Sequence, residues 1–338
     1  MPNLVDIVTE YLQPSQGRLV DIKDIRASLK IEIGSKDDDN LRKLMSKTLV
    51  ARRIVSKTGI SRDGIYKVIK QVSQVKVFNA NRQRRPPVKL YFPRDFTTDM
   101  EFSFAEFIVI REGDLITIGG VKSTGKTHFC LSICAENIDS CPVLMGNEYT
   151  VTVNDTYEPS PRFLDRLDKM AEWCKWTDDN GDDKFTLLPV SEDFAEHVIS
   201  DRTNIADWIN LDGDRLYDIG KVLKGFKGNV GRGVGVAALQ KGEGTINPRG
   251  GQFVRDFSDL EILLDPFGKN SHDVLLTIKG AKETTHPIVG KTFAYTIGES
   301  GTKAFNFREV KRCPGCMGTG HYKGSDCEEC LGTGFRDK

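Results

Sequence analysis

One short stretch constrains this chain more than any other. Leu115, Ile116, Thr117 and Ile118 form an apolar run of strand type, and Gly119-Gly120-Val121-Lys122-Ser123-Thr124-Gly125-Lys126-Thr127 follows directly. Phe129, Leu131 and Ile133 then open an apolar helix. A strand, a glycine-rich loop and a helix in that order, carrying Gly120-x-x-x-x-Gly125-Lys126-Thr127, make a phosphate-binding loop. The residue types fit the chemistry. Backbone N–H groups from Gly120 through Ser123, Thr124 and Gly125 curl around phosphates. Lys126 reaches the β- and γ-phosphates, and the Thr127 hydroxyl ligates Mg²⁺. The helix N-terminus adds partial positive charge. The expected cofactors are ATP and Mg²⁺.

Such a loop needs a sheet and a buried core, and 338 residues supply them with two or three domains. There are 48 basic and 48 acidic residues, which excludes a polycation that holds nucleic acid by bulk charge. No stretch approaches the roughly 18 apolar residues of a membrane span. The N-terminus has no positive region followed by an apolar run, so no signal peptide is expected. The expected setting is cytosolic, in a cell or in a virus within it.

The zero net charge hides an asymmetry. Residues 1–99 hold 20 basic and 11 acidic side chains, a net of +9, and residues 100–338 carry −9. Within residues 52–94 there are 12 basic residues and one acidic residue, Asp63. That is an electrostatic footprint for phosphate backbones, or a solvated basic face.

The basic segment overlaps a small module. Apolar residues from Leu4 to Leu12 recur at helical spacing, Ile22, Ile25 and Leu29 mark a second helix, and Leu41, Leu44, Met45 and Leu49 a third. Ser35 caps the third, with Asp37, Asp38 and Asp39 in its first turn. Two short strands follow, around Val55 and around residues 64–69, with a turn at 59–63. Three helices and a hairpin resemble a winged helix-turn-helix, whose third helix enters the major groove. The resemblance implies DNA contacts from Arg42, Lys43, Lys47, Arg52, Arg53, Lys57, Arg62 and Lys67. A module used for protein contacts is the alternative. Residues 79–104, which open with three arginines in 79–87 and Pro86-Pro87, read as a linker.

Arg111-Glu112-Gly113-Asp114-Leu115-Ile116-Thr117-Ile118-Gly119-Gly120 resembles the entry to the loop in RecA recombinases and DnaB-type helicases. The resemblance spans roughly residues 108–300. It implies a RecA-like α/β core with a central, mostly parallel sheet. It also implies roles for four landmarks that follow in order. Residues 142–148 resemble the second strand, whose terminal carboxylate, here Glu148, polarises the attacking water. Residues 203–211 resemble the Walker B region, with Asp207 on Mg²⁺ and Asp212 and Asp214 as rivals. Residues 233–241 resemble the strand that ends in a γ-phosphate sensor, here Gln240. The loop after it offers Lys241 and Arg249 to a DNA backbone. Near the last core strands, Lys279 and Lys282 are the candidates for a residue that reaches a neighbouring subunit's nucleotide. They stand three apart with no arginine, unlike the family's pattern, and lysine is the poorer phosphate clamp.

Of eight cysteines, four close the chain in a repeat: Cys313-Pro314-Gly315-Cys316-Met317-Gly318-Thr319-Gly320 and Cys327-Glu328-Glu329-Cys330-Leu331-Gly332-Thr333-Gly334. Two such knuckles make a Cys₄ site that suits structural Zn²⁺, with an iron centre or a redox pair as alternatives. The repeat resembles the zinc units of DnaJ-type chaperones over about 22 residues.

The sequence therefore sets out four parts: a winged-helix-like domain (1–78), a basic linker (79–104), a RecA-like ATPase domain (105–304) and a zinc module (305–338). The expected activity is Mg-dependent, DNA-stimulated ATP hydrolysis by a ring- or filament-forming helicase or translocase. An ATP-switched, sequence-specific DNA-binding regulator is the alternative.

Overall fold

In the computed structural model the chain divides into two compact units, Met1–Arg84 and Arg85–Lys338. The structure describes residues 3–58, 64–72, 78, 85–210, 218–242, 245 and 247–338. Arg62 and the turn at 59–63, the linker residues 79–84, and the rivals Asp212 and Asp214 lie outside the described residues.

The first unit runs α1 (Leu4–Leu12), β1 (Leu19–Asp21), α2 (Ile22–Leu29), α3 (Lys36–Lys43), α4 (Leu49–Ala51), β2 (Val55–Lys57) and β3 (Ile65–Val68). Residues Leu44–Thr48 join α3 to α4 through a π-helical turn. The sheet is antiparallel in the order β1-β3-β2. Val8, Leu12, Ile25, Leu41, Met45 and Leu49 close its core, as the helical spacing requires. Ser35 caps α3 by accepting from the Asp38 N–H. Asp38 itself is buried rather than solvated: the Arg26 guanidinium pairs with it at 2.5 Å and the Gly34 N–H donates to it. The strand β1 was not expected from the sequence.

The second unit is built on β4 (Arg94–Asp95), β5 (Met100–Glu101), β6 (Leu115–Gly120), α5 (Lys126–Glu136), β7 (Val143–Met145), β8 (Thr150–Val153), β9 (Thr156–Pro159), α6 (Pro161–Met170) and β10 (Thr186–Leu188). It continues through β11 (Thr203–Ile209), α7 (Ile219–Asn229), β12 (Val234–Gln240), α8 (Gln252–Phe257), β13 (Leu260–Pro266), β14 (Asp273–Ala281), β15 (Thr292–Gly298) and β16 (Lys303–Arg312). Three short strands end the chain: β17 (His321–Tyr322), β18 (Ser325–Asp326) and β19 (Phe335–Asp337).

One sheet carries the unit, in the order β10-β7-β11-β12-β6-β13-β14-β15-β16-β4-β5, with β19 on β16. From β10 to β13 every pairing is parallel. From β13 to β16 every pairing is antiparallel. Both faces of the parallel half are covered. Ile116 and Ile118 of β6 face Phe129, Leu131 and Ile133 of α5. Leu115, with Ala237 and Leu239, faces Leu223 and Phe226 of α7 and Val254 of α8. Strands buried on both faces read as continuous apolar runs, which is how β6 reads.

Two boundaries differ from expectation. Leu90, Phe92, Phe102 and Phe104 are buried in the main core, so the second half of the expected linker is part of the larger unit. The aromatic side chains gain more by burial there than an exposed tether would allow. At the other end, β16 reaches Arg312, and the cysteine segment returns to it through β19.

Candidate functional site

The core presents the order β7-β11-β12-β6-β13, with the phosphate loop between β6 and α5. Loops at the carboxyl ends of such parallel strands gather at one edge, where open α/β sheets bind ligands. Gly125 begins α5 at φ +86, and a Cβ there would stand 2.3 Å from Ile297 Cδ1. Both the backbone angle and the space demand glycine. The Thr124 hydroxyl donates to Val121 O at 2.8 Å. Lys126 Nζ donates to Gly120 O at 3.0 Å and Val121 O at 2.6 Å, so the ammonium lies inside the loop. Burial lowers its pKa, while the charges of Asp207, Cys130 and Glu148 act in the other direction.

Asp207 is buried on β11. Its Oδ2 accepts from the Tyr149 hydroxyl at 2.5 Å. Its Oδ1 is buried with no hydrogen-bond partner among the described residues. Burial raises the Asp207 pKa, against which the Tyr149 and Thr127 hydroxyls favour the ionised form. A buried, half-satisfied carboxylate beside a hydroxyl costs free energy unless a cation joins it. Thr127 and Asp207 thus fit a divalent ion with oxygen ligands.

Glu148 is exposed in the turn after β7. Its Oε1 accepts from Trp208 Nε1 at 3.2 Å. The two strand ends approach closely: a Cβ on Gly146 would stand 2.2 Å from Asp207 O. That contact is why Glu148 and Trp208 can meet. Gln240 closes β12 opposite Gly120, the first glycine of the loop motif. Lys126, Thr127, Asp207, Glu148 and Gln240 therefore share one end of the sheet. Tyr149 and Trp208 were not singled out in the sequence. Their signal was adjacency, since each directly follows one of the two acidic residues.

Other expected residues lie elsewhere. Lys241 is buried and ion-paired with Asp265, and its N–H donates to Gly120 O at 2.9 Å. Its charge is held within the subunit, which corrects its reading as a residue of an exposed DNA loop. Arg249 is exposed after that loop, of which residues 243, 244 and 246 lie outside the described residues. Lys282 pairs with Asp259 at 2.7 Å, together with Lys227. Asp259 also accepts from the Leu115 N–H, at the start of β6 and away from the phosphate loop. Lys279, near the same end of β14, is half-buried. In the first unit Lys43, Lys47, Arg52, Arg53, Lys57 and Lys67 are exposed, and so is Arg42, which pairs with Asp38 at 3.4 Å.

The four terminal cysteines are buried, with their sulfurs all within 4.8 Å of one another. Cys313 Sγ and Cys327 Sγ are 3.8 Å apart, and Cys316 Sγ and Cys330 Sγ 3.7 Å. A tetrahedron with Zn–S of about 2.3 Å has edges of about 3.8 Å, so the set fits Zn²⁺. The repeat is also a structural one. The Gly320 N–H donates to Cys316 Sγ at 3.3 Å, and the Gly334 N–H to Cys330 Sγ at 3.2 Å. Burial opposes the Cys316 thiolate, but the Gly320 and Gly318 N–H groups together with Cys330 and Cys313 outweigh it and bring the thiol to about 6.

Strand order, phosphate loop and the acidic residues at the sheet's edge define an α/β P-loop core with a parallel central sheet half and an appended four-cysteine module. No family model and no curated protein matches the chain. Among solved structures, the RadB recombinase matches 56% of this chain and 90% of its own, at 14% identity and TM-score 0.39. A KaiC-like protein from the hyperthermophilic archaeon Pyrococcus horikoshii OT3 matches 65% of this chain and 99% of its own, at 17% identity and TM-score 0.44. Scores this low lend neither protein's role to this chain. No helix among the described residues is long and apolar enough to cross a membrane.

Proposed function

We propose that the chain is a Mg-dependent ATPase that works on DNA as a homo-oligomer, in the manner of a helicase or translocase. The observation that carries the hydrolytic reading is the convergence of Lys126, Thr127, Asp207 and Glu148 at the phosphate loop. Lys126 neutralises the β- and γ-phosphates. Thr127 and Asp207 hold Mg²⁺, which stabilises charge on the transferred phosphoryl group. Glu148, kept in place by Trp208, orients the attacking water and accepts its proton. Gln240, beside Gly120, senses whether the γ-phosphate is present.

The DNA reading rests on the first unit. Its helices and its β1-β3-β2 sheet follow the order of a winged helix, and its exposed basic residues suit a phosphate backbone. In this reading the cysteine module holds structural Zn²⁺. The ATP-switched regulator remains the second reading, favoured by the same basic unit if it reads sequence.

ATP turnover measured with and without single-stranded DNA, in the wild type and in Lys126→Ala, tests the proposal. Hydrolysis that rises with DNA and vanishes in the variant is expected. Hydrolysis indifferent to DNA, together with strong preference for one duplex sequence, would favour the regulator.

A further inference from the structure

The antiparallel half of the main sheet leaves one face without a helix among the described residues. Paired residues line up across it: Val310 with Thr292, Thr292 with Thr277, Thr277 with Leu263, and Leu263 with Gly119 of the phosphate-loop strand. The first four form the floor of a cavity of about 640 Å³. Neighbouring strands lie about 4.8 Å apart, so this floor runs for about 14 Å. One end meets Phe335 of the segment that returns from the cysteine module, and the other meets Lys241.

The walls are basic in a body that is net acidic. Five basic side chains and two acidic ones, Asp265 and Glu309, line the trough. Asp265 is taken by Lys241, and Glu309 by Lys338 at 2.9 Å with Lys291 at 3.8 Å. Lys279, Lys311 and Arg312 have no acidic partner among the described residues. Lys279 follows Thr277 by two residues on β14, and Lys311 and Arg312 follow Val310 on β16.

We infer that this trough binds the backbone of a single nucleic-acid strand. Unneutralised cations along a groove, hydroxyls on its floor and an aromatic ring at its end are what a strand with exposed bases requires. The inference rests on the DNA reading above but moves the strand's path from the loop after Gln240 to the sheet face. It also gives a physical link to the nucleotide, because the trough ends at Lys241, whose N–H bonds to Gly120 O.

The test is fluorescence anisotropy of labelled oligothymidylate with the full chain, over a range of potassium chloride. It compares the wild type, the triple variant Lys279→Gln/Lys311→Gln/Arg312→Gln, and Arg52→Gln/Arg53→Gln/Lys57→Gln. Each neutralised phosphate contact on a single strand contributes about 0.7 to the salt slope, so the triple variant should lose about 2. Its affinity at low salt should fall at least tenfold, with an unchanged melting midpoint. Single variants Lys279→Glu and Lys311→Glu, each expected to weaken binding, stand in if the triple variant does not fold. A wild type that binds no strand overturns both the DNA reading and this inference. Binding lost only in the Arg52 set leaves the DNA reading and overturns the trough. A trough variant that changes self-association but not strand binding makes this face a contact between copies, and also overturns it.

Discussion

Trp208 Nε1 donates to Glu148 Oε1 at 3.2 Å, so the residue after Asp207 holds the carboxylate that follows the neighbouring strand. In the proposed mechanism this bond ties the Mg²⁺-binding and water-orienting ends of the site to each other. Trp208→Phe keeps an aromatic ring and removes the donor. Its expected effect is a fall in kcat of about tenfold to a hundredfold, with nucleotide affinity unchanged. Steady-state kinetics beside equilibrium nucleotide binding checks this. Equal losses in both would make Trp208 a binding residue instead.

Asp207 opposes stability in the absence of a cation. Burial raises its pKa, so the stability it contributes is full below its unfolded pKa and is lost as pH rises through the folded value. Asp207→Asn should therefore melt higher than the wild type at neutral pH without nucleotide. Adding Mg²⁺ and ATP should reverse the order, because only the wild type gains ligand stabilisation. Melting curves at pH 5 and pH 8, with and without Mg-ATP, measure both effects. The gap between the apo proteins should be wider at pH 8.

Much of this site was legible because local order and chemistry agree. The strand, loop and helix around Lys126 bury on both faces, and their sequence shows it. Gln240 closes β12, Asp207 lies within β11, and Glu148 stands in the turn after β7, each on or beside a strand with a legible apolar run. What could not be read depends on residues far apart in the chain. Lys241 follows a strand and precedes glycines, so it looks like a loop cation. Only the sheet brings Asp265 to it. Arg85, Pro86 and Pro87 made residues 85–104 resemble a tether, although Phe92, Phe102 and Phe104 carried a contrary signal. β1 has three residues and no pattern of its own, and it exists because β3 pairs with it. Nothing local marks Lys279, Lys311 and Arg312 as neighbours of one trough.

Asp259 organises the far end of β6. Burial pushes its pKa up, but Lys227, Lys282 and the Leu115 N–H more than offset this and hold it below the usual value. Its contribution is thus present above its unfolded pKa and is lost as pH falls through the depressed folded one. Asp259→Ala leaves the buried Leu115 N–H and the half-buried Lys227 without their acceptor, while Lys282 is solvated, and should destabilise the larger unit by about 1–2 kcal/mol. Denaturant melts that follow Trp173, Trp176 and Trp208 would report it. A change below about 0.5 kcal/mol would show the cluster to be an ordinary surface ion pair.

The cysteine module should bind one Zn²⁺ per chain, measured by elemental analysis of the purified protein. Cys316→Ser should lose the metal and make the segment after Arg312 open to protease, while ATP binding persists. Retained zinc in that variant, or iron in the wild type, would contradict the assignment.

Glu148 is proposed as the hydrolytic base of the ATP site, and that assignment is open to direct measurement. Phosphate release and ATP affinity, measured together in the wild type and in Glu148→Gln, decide it. The expected result is ATP affinity within about twofold of the wild type and turnover reduced by about a hundredfold or more. Turnover at the wild-type rate in Glu148→Gln would contradict it.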